Sequence, residues 1–229
     1  DYIGEPTPYM NYSITDIDGN VIIPKSSYFG IVDTAGIPKD SYYLYQSQWT
    51  DTPMVHILPH WNWDNGEKVQ VWAYTNADSV ELFLNGESLG VKSFEKKTTD
   101  YGMEYKETSD GEIYLSWEVP YEAGELKAVA TLDGKIVAED TVKTAGSAQS
   151  VKLTPDRRVI DGDGNDLSFV TVDITDNQGV VVPDADNLVN FDVENGEIMG
   201  VDNGNAATFE RYKDNKRKAF NGKAMLIVK

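Results

Sequence analysis

Alternation of apolar and polar residues, interrupted at short intervals by turn residues, constrains the fold of this chain more than any other feature. The segments KVQVWAY (68–74) and SVELFLNGESLG (79–90) both alternate, and a period of two is typical of strands with one buried face. Within the second segment, Asn85 and Gly86 favour a two-residue hairpin turn, because both residue types tolerate a positive φ. Short strands at this spacing indicate an antiparallel β-sandwich.

A second stretch of the same pattern follows a small polar segment, TAGSAQS (144–150), which reads as a linker. The first stretch closes with another predicted hairpin, at Asp133 and Gly134, and contains a polar stretch (94–112) that predicts a long loop or an irregular hairpin. After the linker, LSFVTVDITD (167–176) alternates again, so a second β-sandwich is expected. It includes a basic segment, RYKDNKRKAFNG, in an otherwise acidic chain.

One helix is predicted, over residues 38–50. Pro38 suits a first helical turn, and Pro53 prevents the helix from continuing. Tyr42, Tyr45 and Trp49 follow each other at spacings of three and four, which gives an aromatic stripe on one helix face. Because a helix gains most of its stability from packing such a face, we expect this stripe to dock on the first β unit or in an intermolecular contact.

The composition indicates a chain with a core and a strongly acidic surface. Hydrophobic residues make up 40% of the 229 positions, and 38 acidic against 20 basic residues give a net charge of -18. This charge repels phosphate backbones and excludes nucleic acid as a partner. No stretch reaches the roughly 18 apolar residues of a membrane span. The lack of cysteine excludes disulfides, thiolate chemistry and a cysteine-based zinc site.

Two groups of residues are candidate metal ligands, and each group has a simpler explanation. His56 and His60 share a face only on a helix, whereas VHILPHW favours a strand, so packing or surface roles are preferred to zinc binding. Asp161, Asp163 and Asn165 match the first ligand positions of a calcium loop. The later positions of that loop do not match, and a tight acidic turn is the preferred interpretation. No metal or cofactor is therefore predicted.

Three tryptophans are candidates for contacts with carbohydrate. Trp61 and Trp63 lie in HWNWDNG, and Trp72 follows nearby. Aromatic rings can stack on sugars, because sugar C–H groups meet the electron-rich ring face. The alternative is that these rings build the core of the sandwich, since tryptophan is often largely buried. The residues alone leave both possibilities open.

The chain offers no catalytic constellation of its own. It has no G-x-S-x-G motif, and its two histidines lie in one short segment without a nucleophile nearby. A pair of carboxylates could hydrolyse glycosides, but Asp1 and Glu5 in the opening segment have no matched partner. Catalytic residues are therefore predicted to be absent from these 229 residues.

Four segments together resemble the β-galactosidase branch of glycoside hydrolase family 2 in their residues, their order and their spacing. They are DYIGEPTPY (1–9), SSYFGIVDTAGIPKDSYYLYQSQW (26–49), MVHILPHWNW (54–63) and VQVWAYTNADSVELFLNGESLG (69–90). The resemblance implies an all-β fold of two immunoglobulin-like β-sandwich domains, preceded by a short (β/α)8-barrel remnant with one helix. The implied domains are 1–52 for the barrel remnant, 53–145 for a galactosidase-associated β-sandwich, and 146–229 for an immunoglobulin-like β-sandwich.

The same resemblance implies a function divided between this chain and a missing part. Family members are retaining enzymes with two catalytic glutamates on earlier barrel strands, which would precede Asp1. The chain is thus expected to be a structural, non-catalytic C-terminal fragment of an enzyme that acts on β-galactosides or related oligosaccharides. By position alone, Asp1, Tyr2 and Glu5 would lie at the rim of the substrate pocket.

Two other functions stay open at this point. The sandwiches could form a carbohydrate-binding module through Trp61, Trp63 or Trp72, or they could belong to a cell-surface adhesion protein. The adhesion hypothesis accounts for residues 146–229 but not for the predicted helix. The resemblance further implies a bacterial periplasmic or extracellular location, and a homo-oligomer is possible.

Overall fold

The computed structural model describes residues 14–15, 21–22 and 29–229. Within these residues the chain is mostly β, with one α-helix and strands that belong to several sheets, so the all-β prediction is confirmed at this level. No helix in the described part of the chain has the length and apolar character needed to cross a membrane. The chain divides into two units, residues 40–144 and residues 145–229 together with the described part of 1–39.

The N-terminal part contributes one short antiparallel pair, β1 (Ile14–Thr15) and β2 (Val21–Ile22). The unit of residues 40–144 then begins with the helix and continues with nine strands. In chain order these elements are α1 (Asp40–Trp49), β3 (Val55–Leu58), β4 (Lys68–Thr75), β5 (Ser79–Leu84), β6 (Glu87–Ser93), β7 (Glu95–Thr98), β8 (Glu104–Glu107), β9 (Leu115–Pro120), β10 (Glu125–Leu132) and β11 (Lys135–Lys143).

Two antiparallel sheets of this unit share one apolar core. The first has three strands in the order β3-β4-β9, and the second has four in the order β11-β10-β5-β6. Alternate residues of β4, β5, β9 and β10 point into the core, among them Val71 of β4, Leu82 of β5 and Leu126 of β10, which are all fully buried. The period of two that predicted these strands is therefore the period of their burial.

The predicted hairpin turns are confirmed. Asn85 and Gly86 join β5 to β6 with φ values of 51° and 84°, and Asp133 and Gly134 join β10 to β11 with 50° and 74°. Positive φ at both central residues matches the turn to the twist of the strands on either side. The polar stretch 94–112, expected to be a loop or an irregular hairpin, contains the two-stranded ribbon β7-β8.

Helix α1 forms where the sequence predicted it and packs on strands β3 and β4. The predicted docking of the aromatic stripe on this unit is wrong for Tyr45 and Trp49, however, and an intermolecular contact of these rings stays a prediction. Tyr45 and Trp49 lie exposed and pack edge to face on each other, while Tyr43 stacks on His56 of β3 with the ring centroids 3.7 Å apart. The docked face is set by a partner on another element, which helical spacing alone cannot reveal.

The unit that contains residues 145–229 holds six further strands in its C-terminal part. In chain order they are β12 (Ser150–Pro155), β13 (Ser168–Thr175), β14 (Leu188–Asn190), β15 (Ile198–Asp202), β16 (Lys216–Lys218) and β17 (Lys223–Val228). Four of them form an antiparallel sheet in the order β12-β13-β17-β15, and β14 pairs with β16. Their shared core contains Val172, Val201 and Phe191.

Candidate functional site

The predicted rim residues Asp1, Tyr2 and Glu5 lie outside the described residues. The loop that follows, at residues 31–39, is ordered around Asp33. Its Oδ1 accepts hydrogen bonds from the backbone amides of Ala35 and Ile37, each at 2.9 Å. Burial raises the pKa of Asp33, and the negative charge of Asp202 adds to this effect, against the two amide hydrogen bonds, which lower it.

Asp33 also contacts the far end of its own unit. Gly204 has a φ of 75°, and a Cβ atom at this position would overlap the Asp33 carboxylate. Glycine is therefore required for two reasons, its backbone conformation and the close approach of Asp33. Sequence patterns do not predict this contact, because it joins residues that are far apart in the chain and share no repeating pattern.

A buried ionic centre lies next to this contact. The fully buried Arg217 donates from Nη2 to Asp202 Oδ1 at 3.2 Å, and its Nη1 lies 3.7 Å from Glu210 Oε2. The ring of Tyr212 lies 5.2 Å from the Arg217 guanidinium carbon. Arg217 comes from the segment that the sequence marked as basic, but nothing in that segment distinguishes this buried arginine from its exposed neighbours.

Trp61, the first stacking candidate, is a core residue. Only 1% of it is exposed, its Nε1 donates to the Glu122 carbonyl at 3.0 Å, and its ring packs edge to face on Tyr121. This arrangement leaves no face of the Trp61 ring open to a saccharide. Its polar N–H has the partner that a buried indole needs.

Trp63 lies at the margin of the same core. Its ring stacks on His60 with the centroids 4.9 Å apart and the planes 9° apart, and its Nε1 donates to the His60 carbonyl at 2.7 Å. The half-buried ring also packs against the core. One of its two faces is therefore covered by the His60 imidazole.

Trp72 occupies a different position, on the outer face of β4. Its half-buried ring lies 4.6 Å from that of Tyr114, with 31° between the planes. The residues on either side of it, Val71 and Ala73, point into the core and are fully buried. Of the three tryptophan candidates, Trp72 has the ring that extends from the sheet on the side away from the core.

The two histidines have separate partners rather than a common one. His56 lies between two carboxylates, with Nε2 at 3.1 Å from Asp40 Oδ1 and Nδ1 at 3.6 Å from Asp140 Oδ2. Burial raises the pKa of Tyr43, which stacks on His56, and the charge of Asp140 adds to the shift. His56 thus connects helix α1 to the strands, in line with the packing role preferred from sequence.

The acidic segment that begins at Asp161 forms a tight turn. Asp163 Oδ1 accepts from the amides of Asn165 and Asp166, at 2.7 and 3.1 Å, and these bonds lower the pKa of Asp163. Asp166 Oδ2 accepts from the Asp161 amide at 3.0 Å. In residues 29–229 no group of three or more His, Asp or Glu side chains is arranged to hold a metal ion.

Two segments of the chain match known protein families. Residues 151–229 match glycoside hydrolase family 2 C-terminal domain 5. Residues 66–138 match a domain of unknown function, DUF4982. The second segment lies within the unit of residues 40–144, and the first lies within the unit that contains residues 145–229.

Full-length relatives carry sugar-hydrolase names. The chain is 50% identical over 230 residues to a β-galactosidase of Bacteroides ovatus, an alignment that covers 100% of this chain and 24% of the relative. It is 28% identical over 173 residues to a β-glucuronidase of Formosa agariphila, covering 74% of this chain and 16% of the relative. It thus spans about a quarter or less of these curated relatives.

A solved structure supports the same relationship. The crystal structure of a β-glycosidase from Bacteroides vulgatus is 37% identical to this chain, with a TM-score of 0.81. The match covers 90% of this chain and 25% of the crystallised protein. The similarity therefore includes the fold of most of the chain as well as its sequence.

Proposed function

Since the chain belongs to glycoside hydrolase family 2, we propose that it is the C-terminal accessory region of a retaining β-galactosidase and that it does not itself catalyse hydrolysis. The observation that carries the proposal is the 50% identity to a β-galactosidase over the whole chain. The match covers only 24% of that relative, which leaves room for a catalytic domain elsewhere in a longer polypeptide.

The architecture that we propose follows the resemblance seen in the sequence. Residues 1–52 are the end of a catalytic (β/α)8 barrel, and residues 53–145 and 146–229 are immunoglobulin-like β-sandwiches. The two antiparallel sheets that share a core in residues 40–144 support the first sandwich. The four-stranded sheet and the pair β14-β16, which also share a core, support the second.

A β-galactoside is the proposed substrate of the longer enzyme. The alternative is a β-glucuronide, because the chain is also similar to a β-glucuronidase of Formosa agariphila. The identity to the galactosidase is 50%, and the identity to the glucuronidase relatives of Formosa agariphila is 36% or less, so galactose is the preferred sugar. The two substrates differ in configuration at C4 and in the C6 carboxylate of the glucuronide, which requires a cationic or hydrogen-bonding partner in the pocket.

We further propose that the longer protein has a bacterial periplasmic or extracellular location and assembles into a homo-oligomer. Both named relatives come from bacteria. Cell fractionation of the native host followed by size-exclusion chromatography tests the two points separately. Recovery of the enzyme from the cytosol or as a monomer removes the corresponding part of the proposal and leaves the rest unaffected.

Hydrolysis of chromogenic sugars tests the functional proposal directly. The 229-residue chain and the complete product of its native gene are assayed side by side with the nitrophenyl β-galactoside and the nitrophenyl β-glucuronide. We expect no turnover by the chain alone and turnover of the galactoside by the complete product. Hydrolysis by the chain alone would overturn the accessory role, and preference for the glucuronide would overturn the substrate.

A further inference from the structure

We propose that the outer face of the sheet β3-β4-β9 binds a neutral oligosaccharide, with Trp72 as the stacking ring and Gln70 and Glu118 as hydrogen-bonding partners. The site extends the proposed function from a purely structural region to one that also holds sugar. It uses residues of the unit 40–144 alone and requires nothing from a catalytic domain.

Strand register brings the three residues together. On β4, Val69 and Val71 are buried, so Gln70 and Trp72 lie side by side on the opposite face. Gln70 pairs directly with Glu118 of β9, and Trp72 pairs with Ser116 one step along the same strand. The Trp72 ring and the Gln70–Glu118 pair thus lie next to each other on the outer face of the sheet.

The Trp72 ring is held in place by other aromatic residues. Tyr114 lies against it at 4.6 Å, and the ring of Tyr74 lies 6.4 Å from Tyr114 at an angle of 81°. Tyr74 itself is buried, and the neighbouring His56 is covered by Tyr43 of helix α1. The helix therefore closes one end of the face, which is open at the end where Gln70 and Glu118 lie.

The polar row supplies the acceptors and donors that sugar hydroxyls need. Glu118 Oε1 accepts from Lys68 Nζ at 2.7 Å, and Glu118 Oε2 lies 3.5 Å from Gln70 Nε2. A carboxylate has about four acceptor positions, so the Glu118 group keeps capacity for hydroxyl donors. An aromatic face beside such a row matches the two sides of a sugar ring, one of C–H groups and one of hydroxyls.

Charge selects a neutral ligand over an acidic one. Among Lys68, Gln70 and Glu118 the one cation, Lys68, is already paired with Glu118, so a uronate would add an unpaired carboxylate to a chain whose net charge is -18. The other two candidate rings lack this setting, because Trp61 is buried and Trp63 packs against the core. Trp72 alone among the three combines an outer-face ring with a polar row beside it.

Heteronuclear NMR titration of the 229-residue chain tests the site. The probes are galactobiose and cellotetraose as neutral sugars, and digalacturonate as the acidic sugar of matching size. We expect saturable shifts on β4 and β9 with a neutral sugar at millimolar concentrations, and much smaller shifts with digalacturonate. No saturable shift with either neutral sugar, shifts centred on another surface, or equal response to digalacturonate would overturn the proposal.

Matched variants test whether the Trp72 ring is responsible for sugar binding. Trp72→Ala is expected to weaken binding by about tenfold, the upper range for one aromatic contact. Trp49→Ala removes a more exposed indole from helix α1 in the same unit and should leave the affinity unchanged. Equal effects of the two substitutions would contradict the site.

If Trp72→Ala does not fold, the exposed Gln70 and Glu118 carry the test. Gln70→Ala and Glu118→Ala should each weaken binding severalfold while leaving the thermal unfolding midpoint nearly unchanged. Unchanged affinity in both variants would contradict the proposed sugar site. Because binding is measured on the chain alone, inactivity of the complete gene product would refute the proposed function and not the sugar site.

Discussion

The two units of the chain use different physical means to reach a stable core. In residues 40–144 the buried side chains are almost all apolar, with Ser47 and Thr75 as the polar exceptions. In the other unit the buried set also includes Asp173, Asp176, Asp202 and Arg217. A core of the first kind depends on packing volume, whereas one of the second kind depends on keeping every buried charge paired.

This contrast can be measured unit by unit. All five tryptophans of the chain lie in residues 40–144, so tryptophan fluorescence follows the unfolding of that unit. Hydrogen exchange, read peptide by peptide, follows the unit that contains residues 145–229.

Trp61→Ala should be the most destabilising change. Removing this buried ring leaves a cavity in the apolar core and strips the Glu122 carbonyl of its donor, which costs about 4 kcal/mol of unfolding free energy. Urea unfolding monitored by fluorescence gives the value. Trp49→Ala, at an exposed tryptophan, is the control and should change it by about 0.5 kcal/mol or less. Similar losses for the two variants would refute the core position of Trp61.

Arg217→Met should destabilise the unit that contains residues 145–229 by about 3 kcal/mol, because the Asp202 carboxylate would stay buried and lose its cationic partner. The measurement is the exchange protection of strands β15–β17. The neighbouring Lys218 makes an exposed pair with Asp186 at 3.5 Å, so Lys218→Met should cost about 0.5 kcal/mol or less. An Arg217→Met variant as stable as the parent chain would mean that this unit does not rely on its ionic centre.

Gly204→Ala should cost about 2 kcal/mol, through an unfavourable φ and the displacement of the Asp33 carboxylate. The loss should be accompanied by faster amide exchange at Ala35 and Ile37, whose hydrogen bonds Asp33 accepts. Gly179→Ala is the control, since it also has a positive φ but an open environment. If both variants leave these two amides equally protected, Asp33 is not held by the close approach.

Two carboxyl groups of this unit should respond to pH in opposite directions. Burial raises the pKa of Asp33 above 3.8, so its contribution to stability decreases as the pH rises through the interval above that value. Backbone hydrogen bonds, first that from Gly146, lower the pKa of Asp176. The stability that Asp176 contributes is therefore present above about pH 4 and lost as the pH falls below it.

Substitution by asparagine separates the two effects. Relative to the parent chain, raising the pH above about 4 should make Asp33→Asn more favourable, and lowering the pH below about 4 should make Asp176→Asn less unfavourable. Unfolding free energies from urea titrations below and above this pH give both profiles. Parallel profiles for the two variants would contradict the assignment of opposite shifts.

Local patterns predicted most of the fold. Asn85-Gly86 and Asp133-Gly134 form the expected turns because a positive φ is a property of those residue types, independent of what surrounds them. The strands appear where the period of two runs, because one face of each is buried. The range of helix α1 was also predicted, since prolines delimit it on both sides.

The contacts that the sequence did not predict all join residues that are distant from each other in the chain. Tyr43 rather than Tyr45 docks because His56 supplies its stacking partner, and Gly204 is required because Asp33 lies over it. Trp72 is the instructive case, because the alternation of Val69, Val71 and Ala73 around it already predicts that its ring points away from the core. Trp61 follows the end of β3, where no period indicates which way a ring points.

Covalent labelling of the complete gene product tests the central claim of the proposed function, that the catalytic residues lie outside these 229 residues. A retaining glycosidase forms a glycosyl ester on its nucleophilic carboxylate, and a 2-deoxy-2-fluoro-β-galactoside traps it. Peptide mapping of the labelled complete gene product should place the sugar on a glutamate outside residues 1–229. A label on any carboxylate within residues 1–229 would contradict the accessory role of this chain.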